Sequence, residues 1–447
     1  MKVSVVGLGK IGSCILGTIA SKGIDVIGVD INKEVVETIK KGKSPYFEPW
    51  LDSILKENMD RITVTNKHEA IADTDLTIIM VQTPSLPDGS FSTEYIETAI
   101  LECGRVIPDD KKYHNFIITS TILPGVIDSK IIPLLERVTN KKIGENIGLC
   151  YVPEFIAIGS IIMNILKPDF VIIGESDIKA GDNAHELYQK ITRSDYLGKP
   201  SPPIHRMPII NAELAKIALN VYVTMKISFA NTIAEICENM PNGNAEQVLE
   251  AIGSDSRIGK KFLKPGLSYG GTCFPRDNKA FKNIADKFKS QDFLSQMAEV
   301  VNIQQIQRMT TIILKALSEA DSNKLAVLGV TYKPDTNLTV ESASLKIIEN
   351  LIDNNVNIKV YDPAIKHGFD DLPDLKHTEF YESAKDALKD TKVAFIATPW
   401  KQFFKMKKED FINEMNDEPF IIDGWGILKK LRKEPEIKYM QIGVNRL

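Results

Sequence analysis

Six residues near the start of the chain, Gly7-Leu8-Gly9-Lys10-Ile11-Gly12, restrict the fold more than any other feature. The apolar run Val3–Val6 precedes them, the amphipathic stretch Cys14–Ser21 follows, and a second apolar run, Asp25–Val29, ends at Asp30. Strand, glycine turn, helix, strand is how a parallel α/β sheet begins. In that setting Gly7 permits the tight turn, Gly9 lets the backbone approach a pyrophosphate, and Gly12 lets helix and strand pack closely. The helix start offers free N–H groups to the phosphates. Asp30 is placed to accept from the adenosine ribose hydroxyls, and its charge opposes a 2′-phosphate, so the expected cofactor is NAD rather than NADP. The same residues loosely mimic a secretion signal, but Lys10 interrupts the apolar run and the glycines fit the nucleotide turn better.

The alternation continues through strands at Leu76–Val81 and Phe116–Ser120 and helices at Lys33–Lys40 and Thr93–Val106. It gives way at Asn211–Asn239, where Leu214, Ile217, Ala218, Val221, Met225 and Ser228 follow a three-four spacing until Met240-Pro241-Asn242-Gly243 breaks it. A helix of about 45 Å spans between domains or packs on a second subunit. Strands return at Lys324–Val330, Val356–Tyr361, Val393–Ala397 and Phe420–Ile422, with a helix at Ala343–Asp353. The openings VSVVGLG and LAVLGVTY are alike in architecture and too weak to be a sequence repeat. The expected fold is α/β: two Rossmann-like doubly wound domains, 1–200 and 311–447, joined by a helical central domain, 201–310, with a long spanning helix.

Composition narrows the function. The net charge of −4 is spread without a basic block, so nucleic acid is not an expected partner. No apolar run is long enough for a transmembrane helix. Five cysteines without a CxxC pair argue against a disulfide framework or structural zinc and for a reducing, cytoplasmic setting.

The most informative stretch is DSRIGKKFLKPGLSYGGTCFPRDNKA, residues 255–280. Cys273 follows Gly270, Gly271 and Thr272, and glycines beside a cysteine let a ligand approach the thiol. Pro275 suits the first position of a helix. A thiol at a helix N-terminus near Arg276 is expected to have a depressed pKa and act as a nucleophile. Asp277 is a candidate base. A buried structural cysteine is the alternative. On the long helix, Lys216 and Asn220 lie four apart and share a face, an arrangement suited to an oxygen that turns negative. Asn220 lies in an apolar run, where an amide has to be paired or used. Thr121, in Ser120–Gly125, and Glu154, in Tyr151–Phe155, both follow strands, where α/β ligands bind. A carboxyl among apolar neighbours is expected to titrate high.

Together these residues resemble the UDP-glucose/GDP-mannose dehydrogenase family. The matching segments are VGLGKIG with VD, VQTP, STILPG, VPEF, AELAKIALN, SRIGKKFLKPGLSYGGTCFPRD, VLGVTYKPDT, YDP and ATPW, spread over nearly the whole chain. The resemblance implies two successive oxidations of a nucleotide-sugar at C6, most simply UDP-glucose to UDP-glucuronate, in a homodimer built on the long helix and without a metal. It implies that Cys273 attacks the intermediate aldehyde, that Lys216 and Asn220 stabilise the oxyanion, that Asp277 with Thr121 activates water, and that Glu154 is a general acid/base. It assigns cofactor contacts to Gly7, Gly9, Lys10, Ile11, Gly12, Asp30, Lys33, Thr83, Pro84, Ser120, Thr121 and Arg276. Substrate contacts fall to Glu154, Phe155, Lys216, Asn220, Phe262, Lys264, Tyr269, Gly270 and Lys333, and Arg257 would reach the neighbouring subunit's nucleotide-sugar.

The chain departs from the family pattern at Ile158, where a second acid is usual, at Val340, where an arginine is usual, and at Trp425, where an arginine normally meets the nucleotide-sugar. Joint loss of an acid and a base suggests a lost charge pair, and Trp425 suggests stacking on a base or sugar face. The CFPRD form points away from UDP-ManNAc-type substrates. Other sugars (GDP-mannose, UDP-N-acetylhexosamine or UDP-galactose types) and a degenerate, non-catalytic homologue stay open. A β-hydroxyacid dehydrogenase would share GxGxxG and Lys-x3-Asn but has neither the cysteine nor the third α/β region.

Overall fold

The computed structural model describes residues 1–192, 201–365, 378–416 and 418–445. The expected boundary at residue 200 lies outside them. The chain divides into two compact units, Met1–Ala218 and Leu219–Leu447.

The first unit holds β1 (Val3–Val6), β2 (Val26–Val29), β3 (Ile62–Thr65), β4 (Leu76–Ile79), β5 (His114–Ile118), β6 (Ile147–Tyr151), β7 (Val171–Glu175) and β8 (Ile204–Pro208). Its helices are α1 (Lys10–Ser21), α2 (Lys33–Lys40), α3 (Leu51–Glu57), α4 (Glu94–Arg105), α5 (Ile132–Thr139), α6 (Ile161–Leu166) and α7 (Ile178–Thr192). The sheet order is β3-β2-β1-β4-β5-β6-β7-β8. All neighbours are parallel except β6 and β7. Side chains of a strand alternate between faces, and both faces here are apolar: Val3 and Val5 enter one core, Val6 the other. A sheet buried on both sides must carry helices on both sides, which is the doubly wound arrangement.

Helix α8 (Ile209–Asn239) runs on into the second unit, which continues with α9 (Ala245–Gly253), α10 (Phe274–Lys287) and α11 (Leu294–Glu319). A six-stranded, wholly parallel sheet follows: β9 (Lys324–Leu328), β10 (Asn357–Tyr361), β11 (Thr378–Phe380), β12 (Val393–Ile396), β13 (Phe420–Asp423) and β14 (Lys438–Gln441), in the order β11-β10-β9-β12-β13-β14. Helices α12 (Ala343–Ile352), α13 (Ala384–Leu388) and α14 (Lys408–Ile412) complete it. Leu325 and Val327 join a core with Ala230, Leu249 and Ile306 of the central helices, while Ala326 and Leu328 join the opposite core. The central helices thus cover one face of the second sheet.

Both α/β regions and the long helix follow the expected architecture. The first helix begins at Lys10, four residues before the amphipathic stretch, because the glycine turn itself forms its first turn. Leu214, placed on the helix stripe, is 41% exposed. Among the described residues no helix is long and apolar enough to cross a membrane.

Candidate active site

At the end of β1, Gly7 turns with φ +90°, and its N–H donates to the Val29 carbonyl at 2.8 Å. A Cβ there would lie 2.2 Å from the Met80 carbonyl oxygen, and one on Gly12 would lie 1.9 Å from that of Gly7. Around Gly9 no atom comes within 4 Å of such a Cβ, so the backbone is bare where a phosphate would approach. Helix α1 has no side-chain cap, leaving its first N–H groups to a ligand. Asp30 accepts from Leu8 N through Oδ2 at 2.6 Å and from Asn32 N through Oδ1 at 2.8 Å. A carboxylate offers about four acceptor positions, so capacity remains for ribose hydroxyls. These features fit NAD. Lys10 and Ile11 are half-buried in the first turn of α1, and Lys33, the first residue of α2, is exposed. Thr83 is buried and Pro84 exposed beyond β4. The Ser120 hydroxyl donates to Val81 O at 2.7 Å and accepts from Val81 N at 3.0 Å, so it clamps the exits of β4 and β5, with half-buried Thr121 beside it.

Beyond β6 the structure brings Glu154 and Lys216 together. Lys216 Nζ donates to the Glu154 carbonyl at 2.7 Å and sits 4.8 Å from the centre of the Phe155 ring. The Glu154 carboxyl accepts from the Tyr188 hydroxyl at 3.2 Å. Burial pushes its pKa up to about 7, against the opposing pull of that hydrogen bond and of Lys216. Two further carboxylates hold the loops of this region. Glu213, fully buried on α8, accepts from Gly125 N at 2.6 Å and Ile127 N at 3.1 Å, fixing the loop that carries Thr121. Glu48 accepts from Gly159 N at 3.0 Å and Ile161 N at 2.8 Å, fixing the far end of the loop that carries Glu154. Neither was expected from the sequence. An acid inside the apolar run ELAKIAL was the available signal for Glu213, by the same argument that singled out Asn220.

In the second unit, Cys273 is exposed at the N-cap of α10, whereas Cys14, Cys103, Cys150 and Cys237 are buried. The Thr272 hydroxyl stands 3.5 Å from its sulfur. Phe274 is the first helical residue, so Pro275 takes the second position rather than the first. Asp277 is buried; its Oδ2 accepts from Asn220 Nδ2 at 2.6 Å and its Oδ1 lies 3.5 Å from Arg276 Nε. Asn220 is thus paired, with the acid the sequence singled out. Gly270 and Gly271 lie against the protein itself. A Cβ on Gly270 would meet the Glu341 carbonyl oxygen at 2.1 Å, and one on Gly271 the Tyr332 ring at 2.5 Å. What these glycines admit is the protein's own 332–341 segment.

Tyr269 is buried, donating to Glu299 at 2.7 Å and accepting from Asn278 Nδ2 at 2.7 Å. Its ring meets Phe274 edge-on, as does that of Phe262, which is half exposed at φ +61°. Lys264 is exposed, and Lys333 lies 5.6 Å from the centre of the Tyr332 ring. Arg257 has 87% of its side chain exposed and is forked onto Asp255 at 3.0 and 2.7 Å. Of the departures, Ile158 is half-buried and Val340 is exposed, its carbonyl accepting from Gly271 N at 3.1 Å. The Trp425 indole N–H donates to the Ala397 carbonyl at 2.9 Å.

Comparison with known proteins covers most of the chain. Models of the UDP-glucose/GDP-mannose dehydrogenase family match in three parts: the NAD binding domain over residues 1–192, the central domain over 210–304 and the UDP binding domain over 326–430. A UDP-glucose 6-dehydrogenase of Haloferax volcanii is 32% identical over 432 residues, 96% of this chain and 98% of that one. A GDP-mannose 6-dehydrogenase of Pseudomonas putida is 31% identical over 372 residues, 82% of each chain. Among solved structures, a UDP-glucose dehydrogenase from Pyrobaculum islandicum superposes with a TM-score of 0.86 at 28% identity, covering 99% of this chain and 98% of that one. A UDP-D-ManNAc dehydrogenase from Pyrococcus horikoshii gives 0.84 at 27% identity over the full length of both.

Proposed function

The chain belongs to the UDP-glucose/GDP-mannose dehydrogenase family of NAD-dependent nucleotide-sugar dehydrogenases, and we propose that it oxidises UDP-glucose at C6 to UDP-glucuronate. The observation that carries the reading is Cys273: one exposed thiol among five cysteines, at a helix N-terminus, four residues before a buried carboxylate. UDP-glucose is favoured because the relative of that activity aligns over 96% of the chain, against 82% for the GDP-mannose enzyme.

NAD, when bound, supplies the acceptor for one hydride in each of two oxidations. Glu154, with a pKa near 7, is poised between its two forms at neutral pH and takes up the proton released from the C6 hydroxyl. The Cys273 thiolate adds to the aldehyde carbonyl and forms a C–S bond. The family resemblance assigns stabilisation of the resulting oxyanion to Lys216 and Asn220. Loss of the second hydride leaves a thioester. By the same resemblance Asp277, with Thr121, takes a proton from water as the water oxygen adds to the thioester carbonyl. Expulsion of the Cys273 thiolate gives the acid. Tyr222, Phe229 and Ile236, seven residues apart on α8 and 57, 48 and 51% exposed, support a second copy of the chain as the partner of that helix. Phe229→Glu should then yield monomers in sedimentation; an unchanged dimer would place the contact elsewhere.

The deciding experiment is NADH release from a panel of nucleotide-sugars with the wild type and Cys273→Ser. Two NADH per acid formed with UDP-glucose, and loss of acid with Cys273→Ser, are expected. Preference for another sugar would reassign the substrate, and acid formation by Cys273→Ser at the wild-type rate would refute the thioester route.

A further inference from the structure

The segment from Gly266 to Cys273 is gripped from two sides. On one side, helices read its backbone in sequence. Gly266 N donates to Asn231 of α8 at 2.9 Å, and Gln305 of α11 donates to Gly266 O at 2.6 Å. One turn back on α11, Asn302 accepts from Tyr269 N at 2.8 Å and donates to Tyr269 O at 3.1 Å. On the other side are groups from the C-terminal α/β region, and each meets the segment at a glycine. Trp425 lies over Gly266, where a Cβ would come within 2.6 Å of the indole. The Glu341 carbonyl abuts Gly270 and the Tyr332 ring abuts Gly271, whose N–H also donates to Val340 O.

Trp425 differs from the other two because it springs from the sheet itself. It follows β13, and its Nε1–H is anchored to Ala397, just past β12. The exits of two sheet strands therefore fix the indole, and the indole faces the backbone at Gly266, seven residues before the thiol. A planar side chain held at its N–H against a residue without a Cβ has little freedom to shift. We propose that Trp425 is a positioning residue for Cys273: seated on Gly266, it sets where the Gly266–Cys273 segment lies and hence how the thiol is presented.

The inference rests on Cys273 being the nucleophile, but its test reads the thiol directly. Because the other four cysteines are buried, iodoacetamide labels Cys273 in the folded protein without any substrate. Trp425→Ala, Gly266→Ala and the double variant are compared with the wild type, with Trp425→Phe as the conservative control. Trp425→Ala is expected to change the Cys273 alkylation rate several-fold and to lower kcat for acid formation by about tenfold, as a displaced reacting group does, while KM for NAD stays put. Trp425→Phe, which keeps a ring over Gly266 but loses the N–H anchor to Ala397, should fall between Trp425→Ala and the wild type. Gly266→Ala should be damaging alone and milder in the double variant, since removing the indole makes room for the new methyl. Wild-type alkylation in Trp425→Ala, or independent effects in the double variant, would overturn the proposal. A changed alkylation rate without turnover on any nucleotide-sugar would leave the positioning role standing and remove the proposed function instead.

Discussion

The two sheets open with the same backbone device and complete it with different chemistry. In the first, β1 runs into Gly7 at φ +90°, the Gly7 N–H donates to the end of β2, and Leu8 N–H donates to Asp30. In the second, β9 runs into Gly329 at φ +101°, its N–H donates to Tyr361 O at 2.8 Å, and Val330 N–H donates to Asp362 at 2.8 Å. The next position separates them. Where the first has Gly9, the second has Thr331, whose N–H and hydroxyl both turn onto Asp362 Oδ2 at 3.0 Å. The Trp400 indole adds a fourth donor at 3.2 Å, and Ala364 N takes Oδ1. Asp362 is 2% exposed, and its acceptor capacity is filled by protein. A glycine followed by a distant aspartate therefore builds a strand crossing in either sheet. Only the first leaves the third residue bare and the carboxylate with acceptors to spare.

That contrast can be broken in graded steps. The largest effect is expected from Asp362→Asn, which removes the charge and replaces one of the two acceptor oxygens with an NH2 donor, leaving N–H or O–H groups of the five that point at the carboxylate without an acceptor. Roughly 3 to 5 kcal/mol of stability should go, the scale for breaking a buried charged network, with KM for NAD unchanged. A higher KM for NAD with stability intact would mean the second device also serves the cofactor.

Next comes acid. His114 on β5 is buried, its Nδ1–H donating to Thr74 O and its Nε2 accepting from Thr77. Burial lowers its pKa to about 4. Below about pH 6.5 the unfolded chain takes up a proton that the folded one refuses, so stability present above that pH falls progressively toward pH 4, by about 3 kcal/mol. Hydrogen exchange should show β5 losing protection between those pH values, and His114→Asn should flatten the trend. A pH-independent β5 would refute it.

The smallest effect falls on Asp30→Asn, which keeps the shape and loses the charge. It should weaken NAD by about tenfold, or about 1.4 kcal/mol, and relax discrimination against NADP with little change in stability. Unaltered affinity would mean that the bare glycine turn alone defines the site.

The sequence made the architecture legible wherever pattern and geometry coincide. Val3–Val6 and Val393–Ile396 are short apolar runs that could only be strands buried on both faces. It was silent at β8, where exposed His205 and Arg206 and the closing Pro208 dilute the pattern. The polar partners split the same way. Asn220 stood out as an amide in an apolar helix, and Asp277 receives it. Glu48 and Glu213 act on backbone N–H groups; the apolar run around Glu213 marks a buried acid, but a main-chain donor leaves no trace in residue identity to say what it meets. At Gly270 and Gly271 the structure adds what a sequence cannot, the neighbours that an added Cβ would meet: the Glu341 carbonyl and the Tyr332 ring.

The apolar residues exposed on α8 carry one more consequence. Tyr222, Phe229 and Ile236 recur every seven residues, and a helix of 3.6 residues per turn falls about 20° short of closing each such repeat. The stripe consequently winds left-handed about its own axis. A copy of the helix laid along it has to cross at a shallow angle of about +20° to stay in contact. The handedness of the proposed pairing is in this way written into the spacing of three side chains.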